Sequence, residues 1–504
     1  MKRHGVSTPV LLLFLVFALT AVTFSSTGLT DPDFHWHLAY GQWILDHGAL
    51  PGADMWSWTA LDEPYRLTQW LGETLIGLAW SAGGMNGTAM LAAVLVAGTM
   101  AASYRAALIY LPNKLGALAV AVLFCSILMS TPCRPQQFTF LLLAIESWLI
   151  AAFIARGSRS IWSLPPLMAL WVNLHGAYVI GILVLGMWTA LIATQAYISH
   201  DKQLIRSTAL PMAVVLIASI AATLLNPYGV GAWGYAAEIA QLRSSSMIQE
   251  WSATSIKTEI GLQFFMVTAT VFAAMAFGRR NLSMATVLAA LAIAGLGWSA
   301  ERLSLMSCVI LVPIAAQCLR DTPIYDLIFE NAKVSAASKV PTTAAVVIAA
   351  AAVAYMAFVP RATPHDLERY AQVMPVDEAA FMRNESLTDM KLLNPPEVGG
   401  YLIREAGVRV SIDTRLDLYG DDRFFANMHA RVGDASWKDF VRASEPELVL
   451  LKNREPLRQL LIESANYRLV FEGDTFSVLI KSSYRPDLPT LQPTTVLTRV
   501  AAAQ

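Results

Sequence analysis

The segment Asp31-Pro-Asp-Phe-His-Trp-His37 gathers two carboxylates and two imidazoles in one short stretch. Such groups side by side serve two kinds of chemistry: a general base that takes a proton from a hydroxyl, or a site for a divalent cation. Spacing decides which of them cooperate. In an extended conformation Asp31, Asp33, His35 and His37 point one way, whereas a helix starting near Asp33 puts Asp33 and His37 on one face. A purely structural use also fits, with Asp33 capping an amphipathic helix that runs to about His47 and Trp36 and Trp43 anchoring it at an interface.

Other polar groups interrupt apolar runs. Arg134, in Thr131-Pro-Cys-Arg-Pro135, either snorkels to lipid headgroups or grips two phosphate oxygens at once. Trp171-Val-Asn-Leu-His175-Gly176 presents the Asn173 amide and the His175 imidazole. These could orient an acceptor hydroxyl, join the Asp31–His37 group around a metal, or be satisfied structurally. Glu301 and Arg302 open a further run, where Arg302 is a second phosphate candidate and both could instead pair with neighbours. Asn226-Pro-Tyr228 closes another run, and Glu250-Trp251 offers an aromatic face of the kind that stacks on sugar rings.

These residues are positioned by a chain whose composition excludes a soluble enzyme. Of 504 residues, 55% are hydrophobic and 14% charged, where soluble proteins carry roughly 25% charged. A net charge of -1 supplies no basic field for nucleic acid. Cys125, Cys133, Cys308 and Cys318 lie in or beside apolar stretches without CxxC spacing, so neither a zinc site nor a disulfide framework follows.

Apolar runs long enough to cross a bilayer, about 18 residues or more, recur up to Pro360 and then stop. They predict about eleven spans: Thr8 to Ser26, then 87–110, 115–131, 136–155, 161–174, 177–198, 208–225, 260–278, 281–297, 302–319 and 342–359. The first follows Lys2 and Arg3 and reads as an uncleaved anchor with a cytoplasmic N-terminus. Lys and Arg then fall mainly on cytoplasmic loops, provided that Gln69–Gly83 lies along the membrane surface. The odd count places a long first loop, 27–87, and the tail outside. Residues 1–360 are therefore expected to form a transmembrane domain and 361–504 an extracytoplasmic domain.

The tail reads as a small α/β module: a helix over Val376–Asn384, strands at Arg409–Ile412, Leu448–Leu451, Tyr467–Phe471 and Phe476–Ile480, and helices at Trp437–Ala443 and Pro456–Ala465. Asp413, Arg415, Asp417 and Tyr419 surround a strand end, a place for a ligand or for a salt-bridge network. It holds no phosphate-binding glycine loop or nucleophile elbow, and an accessory role is expected.

The layout resembles the GT-C superfamily of integral-membrane glycosyltransferases, which take a sugar from a polyprenyl-phosphate carrier. In those enzymes a long outside loop follows the first span, opens with an acidic motif, runs into a surface helix ending in Gly then Pro, and reaches a second surface helix beginning Trp-Leu. This chain has Asp33, Trp43-Ile-Leu-Asp-His-Gly48, Pro51, Pro64 and Trp70-Leu71 leading to Gly83-Gly84. Asp54-Met-Trp-Ser-Trp58, Tyr65-Arg66, Gly399-Gly400-Tyr401 and Ile412-Asp-Thr-Arg415 look like a bacterial subgroup of such proteins. The resemblance implies a multi-pass protein of the bacterial inner membrane and an inverting transfer to a lipid, glycan or protein acceptor of the envelope. It makes Asp33 the candidate base with Asp31 as its competitor, since Pro32 separates two acids that the family often has adjacent. His35, His37, Arg134, Asn173, His175, Glu301 and Arg302 are the substrate-binding candidates.

Two other readings compete. One is a noncatalytic transporter or assembly factor for envelope polysaccharide, although no internal repeat supports it. The other is a metal-dependent enzyme built on Asp31, Asp33, His35, His37 and His175, and a divalent metal ion is the single cofactor the residues suggest.

Overall fold

The computed structural model describes residues 5–6, 20, 31–278, 282–330, 340–341 and 370–492. Contacts divide the chain into two compact units. One, the helical unit, comprises Met1–Gly28, Thr68–Ala237 and Ser246–Arg361; the other, the mixed unit, comprises Leu29–Leu67, Glu238–Ser245 and Ala362–Gln504. Residues 29–67 of the first loop thus group with the tail.

In the helical unit six described helices are long and apolar enough to cross a membrane: Trp70–Ala107, Gln136–Arg156, Tyr178–Ile198, Lys202–Ala222, Glu259–Phe277 and Glu301–Leu319. Lys114–Met129 and Met284–Ser299 are shorter apolar helices, and Leu164–Leu174 is shorter still, opening on Pro165 and Pro166 where a missing N–H costs nothing. The expected spans from 87–110 to 302–319 each meet a helix; the first, Thr8 to Ser26, apart from Thr20, and the last, 342–359, lie outside the described residues. Glu301–Leu319 is the most enclosed of the six, packed between the Glu259–Phe277 and Met284–Ser299 helices. Peripheral helices turn Leu183, Ile217, Phe265 and Leu291 outward, as a wall facing lipid would.

The surface segment expected at Gln69–Gly83 begins a helix that bends sharply. Gly83 and Gly84 leave helical geometry, Gly84 at φ 56° and ψ -133°, a conformation that L side chains rarely adopt. The second half then folds close to the first: a Cβ on Gly87 would stand 1.8 Å from the Ala79 carbonyl oxygen.

The mixed unit is built on a sheet of β1 (Leu392–Leu393), β2 (Leu448–Lys452), β3 (Tyr467–Glu472) and β4 (Phe476–Lys481), in the order β1-β2-β4-β3. β1 runs parallel to β2 and the other pairs are antiparallel. The β2 side chains Leu448, Val449, Leu450 and Leu451 are buried on both faces, which explains their unbroken apolar run. Beyond β1, Val410 bridges Leu392, and Ser57 of the first loop bridges Val410, both in parallel. Trp58 N donates to Val410 O at 3.0 Å and Val410 N to Trp56 O at 3.1 Å. The strand expected over Arg409–Ile412 is thereby reduced to its one laddered residue, and the first loop becomes the outer layer of the sheet.

Candidate functional site

The Asp31–His37 segment is helical. Pro32–His47 starts with Pro at the first turn and ends at Gly48, whose φ of 61° allows its N–H to reach Ile44 O at 2.8 Å. Asp31, rather than Asp33, is the N-cap: its Oδ1 accepts from the N–H groups of Asp33 and Phe34, each at 3.0 Å. The extended alternative, with all four polar groups on one side, is set aside. Asp33 and His37 sit one turn apart on one face.

Asp33 is held by two donors. Trp36 Nε1 reaches its Oδ1 at 3.3 Å, and Thr414 Oγ1 donates to the same oxygen. Trp36 also donates to Thr414 Oγ1 at 3.0 Å, so it is a buried hydrogen-bond donor rather than the interface anchor expected. His35 is buried and meets the Tyr401 ring edge-on at 5.2 Å, while the His37 ring lies against Trp36 at 3.6 Å between centroids.

Next to Thr414 stands a buried charge network. Arg415 Nε donates to Asp413 Oδ1 at 2.9 Å, Nη2 to Asp413 Oδ2 at 2.6 Å, and Nη1 to Asp54 Oδ1 at 2.7 Å and to the Tyr40 hydroxyl at 2.5 Å. Its guanidinium lies over the rings of Tyr65 (5.4 Å), Tyr40 (5.5 Å), Trp56 (5.7 Å) and Tyr419 (6.0 Å). The other carboxylate lone pairs are met by the Tyr419 hydroxyl on Asp413 at 2.9 Å and by Ser57 N and Oγ on Asp54 at 2.8 and 2.6 Å. Burial opposes the Arg415 charge, but Asp413 beside it prevails and holds the guanidinium well above its usual range; burial pushes the Tyr419 hydroxyl up in turn. Of the two readings open for Asp413, Arg415 and Tyr419, the structure shows the salt-bridge network, and it ties the motif at 54–58 to the motif at 412–415.

In the helical unit the candidates fall into two groups. Arg134 Nη1 pairs with Glu250 Oε1 at 3.1 Å, and the Arg302 guanidinium lies 4.3 Å from the centre of the Trp251 ring. Glu250 and Trp251 are therefore packed on the two arginines. Glu301 N donates to Ser252 O at 3.0 Å, which fixes the same loop to the start of the Glu301–Leu319 helix. The second group is structural in its contacts. Asn173 accepts from Trp70 Nε1 at 2.9 Å and donates to Ala169 O and Leu225 O at 2.8 Å each, and His175 Nδ1 meets Thr139 Oγ1 at 2.9 Å and accepts from Ala177 N at 3.2 Å. Asn173, with Trp70, Leu170, Leu225 and Pro227, lines an open groove of about 550 Å³.

No family model matches the sequence, and no curated protein matches it. Solved structures do. The chain is similar to the Archaeoglobus fulgidus oligosaccharyltransferase in its apo form, with a TM-score of 0.55 and 12% identity over 88% of this chain and 69% of that one. It is similar to the same organism's AglB in complex with an inhibitory peptide and a dolichol-phosphate, with a TM-score of 0.55 and 12% identity over 95% and 74% of the two chains. It is also similar to ArnT from Cupriavidus metallidurans bound to undecaprenyl phosphate, with a TM-score of 0.52 and 13% identity over 95% of this chain and 99% of that one. AglB and ArnT are GT-C membrane glycosyltransferases. The chain has the GT-C fold.

Among the described residues, no group of three or more His, Cys, Asp or Glu stands together as a metal site. Sequence reasoning passed over two residues that touch Asp33 or Arg415, namely Thr414 and Tyr40. Thr414 lay inside the Ile412-Asp-Thr-Arg415 motif between two charged residues, and that proximity was its one available signal.

Proposed function

We propose that the protein is a polyprenyl-phosphate-dependent glycosyltransferase of the bacterial inner membrane, acting at the outer face on an acceptor of the cell envelope. The observation that carries this reading is the Asp33 carboxylate, set by two donors in the first turn of the helix that opens the long loop of a GT-C fold. Asp33 takes the proton of an acceptor hydroxyl, the acceptor oxygen attacks the anomeric carbon, and the polyprenyl phosphate departs with the bonding electrons. A phosphate is a good leaving group, so one displacement suffices, no strong acid is needed, and configuration inverts. Arg134 and Arg302 are the candidates for the phosphate in the helical unit, because guanidinium groups at membrane depth match its geometry. Asp31 is the weaker base, since protonation of its carboxyl would disturb the helix cap.

The test is to reconstitute purified protein in lipid vesicles with tritium-labelled undecaprenyl-phosphate sugars and envelope acceptors, then determine the linkage formed and the side of the membrane on which the label ends. Release of undecaprenyl phosphate together with a product of inverted configuration is expected. Retention of configuration would exclude the single displacement, and label that crosses the membrane without transfer would favour the polysaccharide transporter instead.

A further inference from the structure

Three side chains of the mixed unit close a hydrogen-bonded ring. Trp36 Nε1 donates to Thr414 Oγ1 and to Asp33 Oδ1, and Thr414 Oγ1 donates to Asp33 Oδ1. Chemistry fixes the directions. An indole N–H can only donate and an ionised carboxylate can only accept, so the hydroxyl between them takes a bond from the first and gives its proton to the second. Both donors favour the charged form of Asp33, which is the form a base must have before it takes a proton.

The peptide that carries Thr414 is pinned on both sides. Thr59 Oγ1 donates to Ser411 O at 2.5 Å, Asn394 Nδ2 donates to Ile412 O at 2.8 Å, and Arg415 is buried in its network with Asp413 and Asp54. The helix Pro396–Tyr401 packs against the Pro32–His47 helix, and a Cβ on Gly400 would come 3.1 Å from Pro32 O and 3.2 Å from Trp36 N. Small residues there bring the two backbones together.

We infer that Thr414 is a positioning residue for Asp33: its hydroxyl, aligned by Trp36, orients the carboxylate and sustains its ionised form. The inference rests on Asp33 being the base. It assigns the last third of the chain a part in catalysis where an accessory role was expected. The charged and titratable groups on the elements around Asp33 are Asp31, His35, His37, Tyr40, Asp46 and His47 on its own helix and cap, Asp413 and Arg415 beside Thr414, and Glu397, Tyr401, Arg404 and Glu405 on the segment after Pro396.

The experiment measures transfer from tritium-labelled undecaprenyl-phosphate sugars as a function of pH, with full-length protein in membranes at equal abundance. The parent is compared with Thr414→Val, Thr414→Ser, Trp36→Phe and Asp33→Asn. Thr414→Val is expected to lose about tenfold in kcat, with donor KM unchanged and the acid limb of the pH profile moved up by about one unit. Thr414→Ser, which keeps the hydroxyl, recovers most of the rate and the parent's acid limb. Trp36→Phe moves the acid limb in the same direction and carries the test if Thr414→Val does not accumulate. An inactive Asp33→Asn beside Thr414→Val and Trp36→Phe variants that keep the parent's rate and acid limb would overturn the role of Thr414 while leaving the base in place. If Asp33→Asn transfers like the parent, or no donor is used at all, the base reading fails and the role of Thr414 falls with it.

Discussion

Arg415 donates through Nη1 to Oδ1 of Asp54 at 2.7 Å, joining residues 361 positions apart, and neither side chain is exposed to solvent. A buried ion pair stabilises only when its desolvation is offset by good geometry and added hydrogen bonds. Here the offset comes from Asp413, Ser57, Tyr40 and Tyr419.

Arg415→Met is therefore expected to destabilise the mixed unit by about 3–5 kcal/mol, because it leaves two carboxylates buried without their cation. Hydrogen exchange over 54–65 and 410–419 should report the loss. Adding Asp54→Asn should cost less than the sum of the single changes, since the pair acts as one unit. Unchanged protection in Arg415→Met would contradict the assignment.

Glu378 predicts a pH dependence. Burial, with smaller contributions from Asp377 and Asp474, pushes its carboxyl up to about 7 against the pull of its own backbone N–H. The folded state thus holds this proton more tightly than the unfolded chain does. Its stabilising contribution is fully present below about 4.5, the ordinary value, and is lost as pH rises through about 7. Glu378→Gln should leave the thermal midpoint of the mixed unit unchanged at about pH 4 and raise it at about pH 8. A variant with the parent's pH dependence would refute this.

Gly399 tests the close approach behind Thr414. A Cβ there would meet Ile412 O at 2.3 Å and Asp413 Cα at 2.8 Å, both backbone atoms that cannot rotate away. Gly399→Ala should displace the 412–415 segment and lower both stability and transfer. Gly52→Ala, with nothing within 4 Å of the added carbon, is the control in the same unit. Equal behaviour of the two variants would show that the approach is not critical.

Arg134→Gln addresses the donor phosphate. If this guanidinium holds it, donor KM should rise by about tenfold or more while kcat changes less, the pattern of a lost ground-state contact. A fall in kcat at constant KM would place Arg134 elsewhere in the cycle.

Local physics made much of the fold legible. Long apolar runs located the described spans because a hydrocarbon layer demands them, and the β2 run Leu448–Leu451 is apolar throughout because both sheet faces are covered. What escaped depends on partners far away in sequence. Nothing near Trp56 or Val410 announces that they pair across the sheet edge, and the grouping of residues 29–67 with the tail rests on such contacts. The helix Leu416–Arg431 was hidden because Gly420, at φ 65° and ψ 177°, breaks its geometry and its pattern. At the site, the sequence presented Asp33 among rival acids and imidazoles; Thr414 entered only with the hydrogen bond.

The most direct test of the central claim is transfer from labelled undecaprenyl-phosphate sugars by membranes containing the parent or Asp33→Asn at equal abundance. The parent is expected to form labelled product and the variant to fall to background. Equal transfer by both would contradict Asp33 as the base.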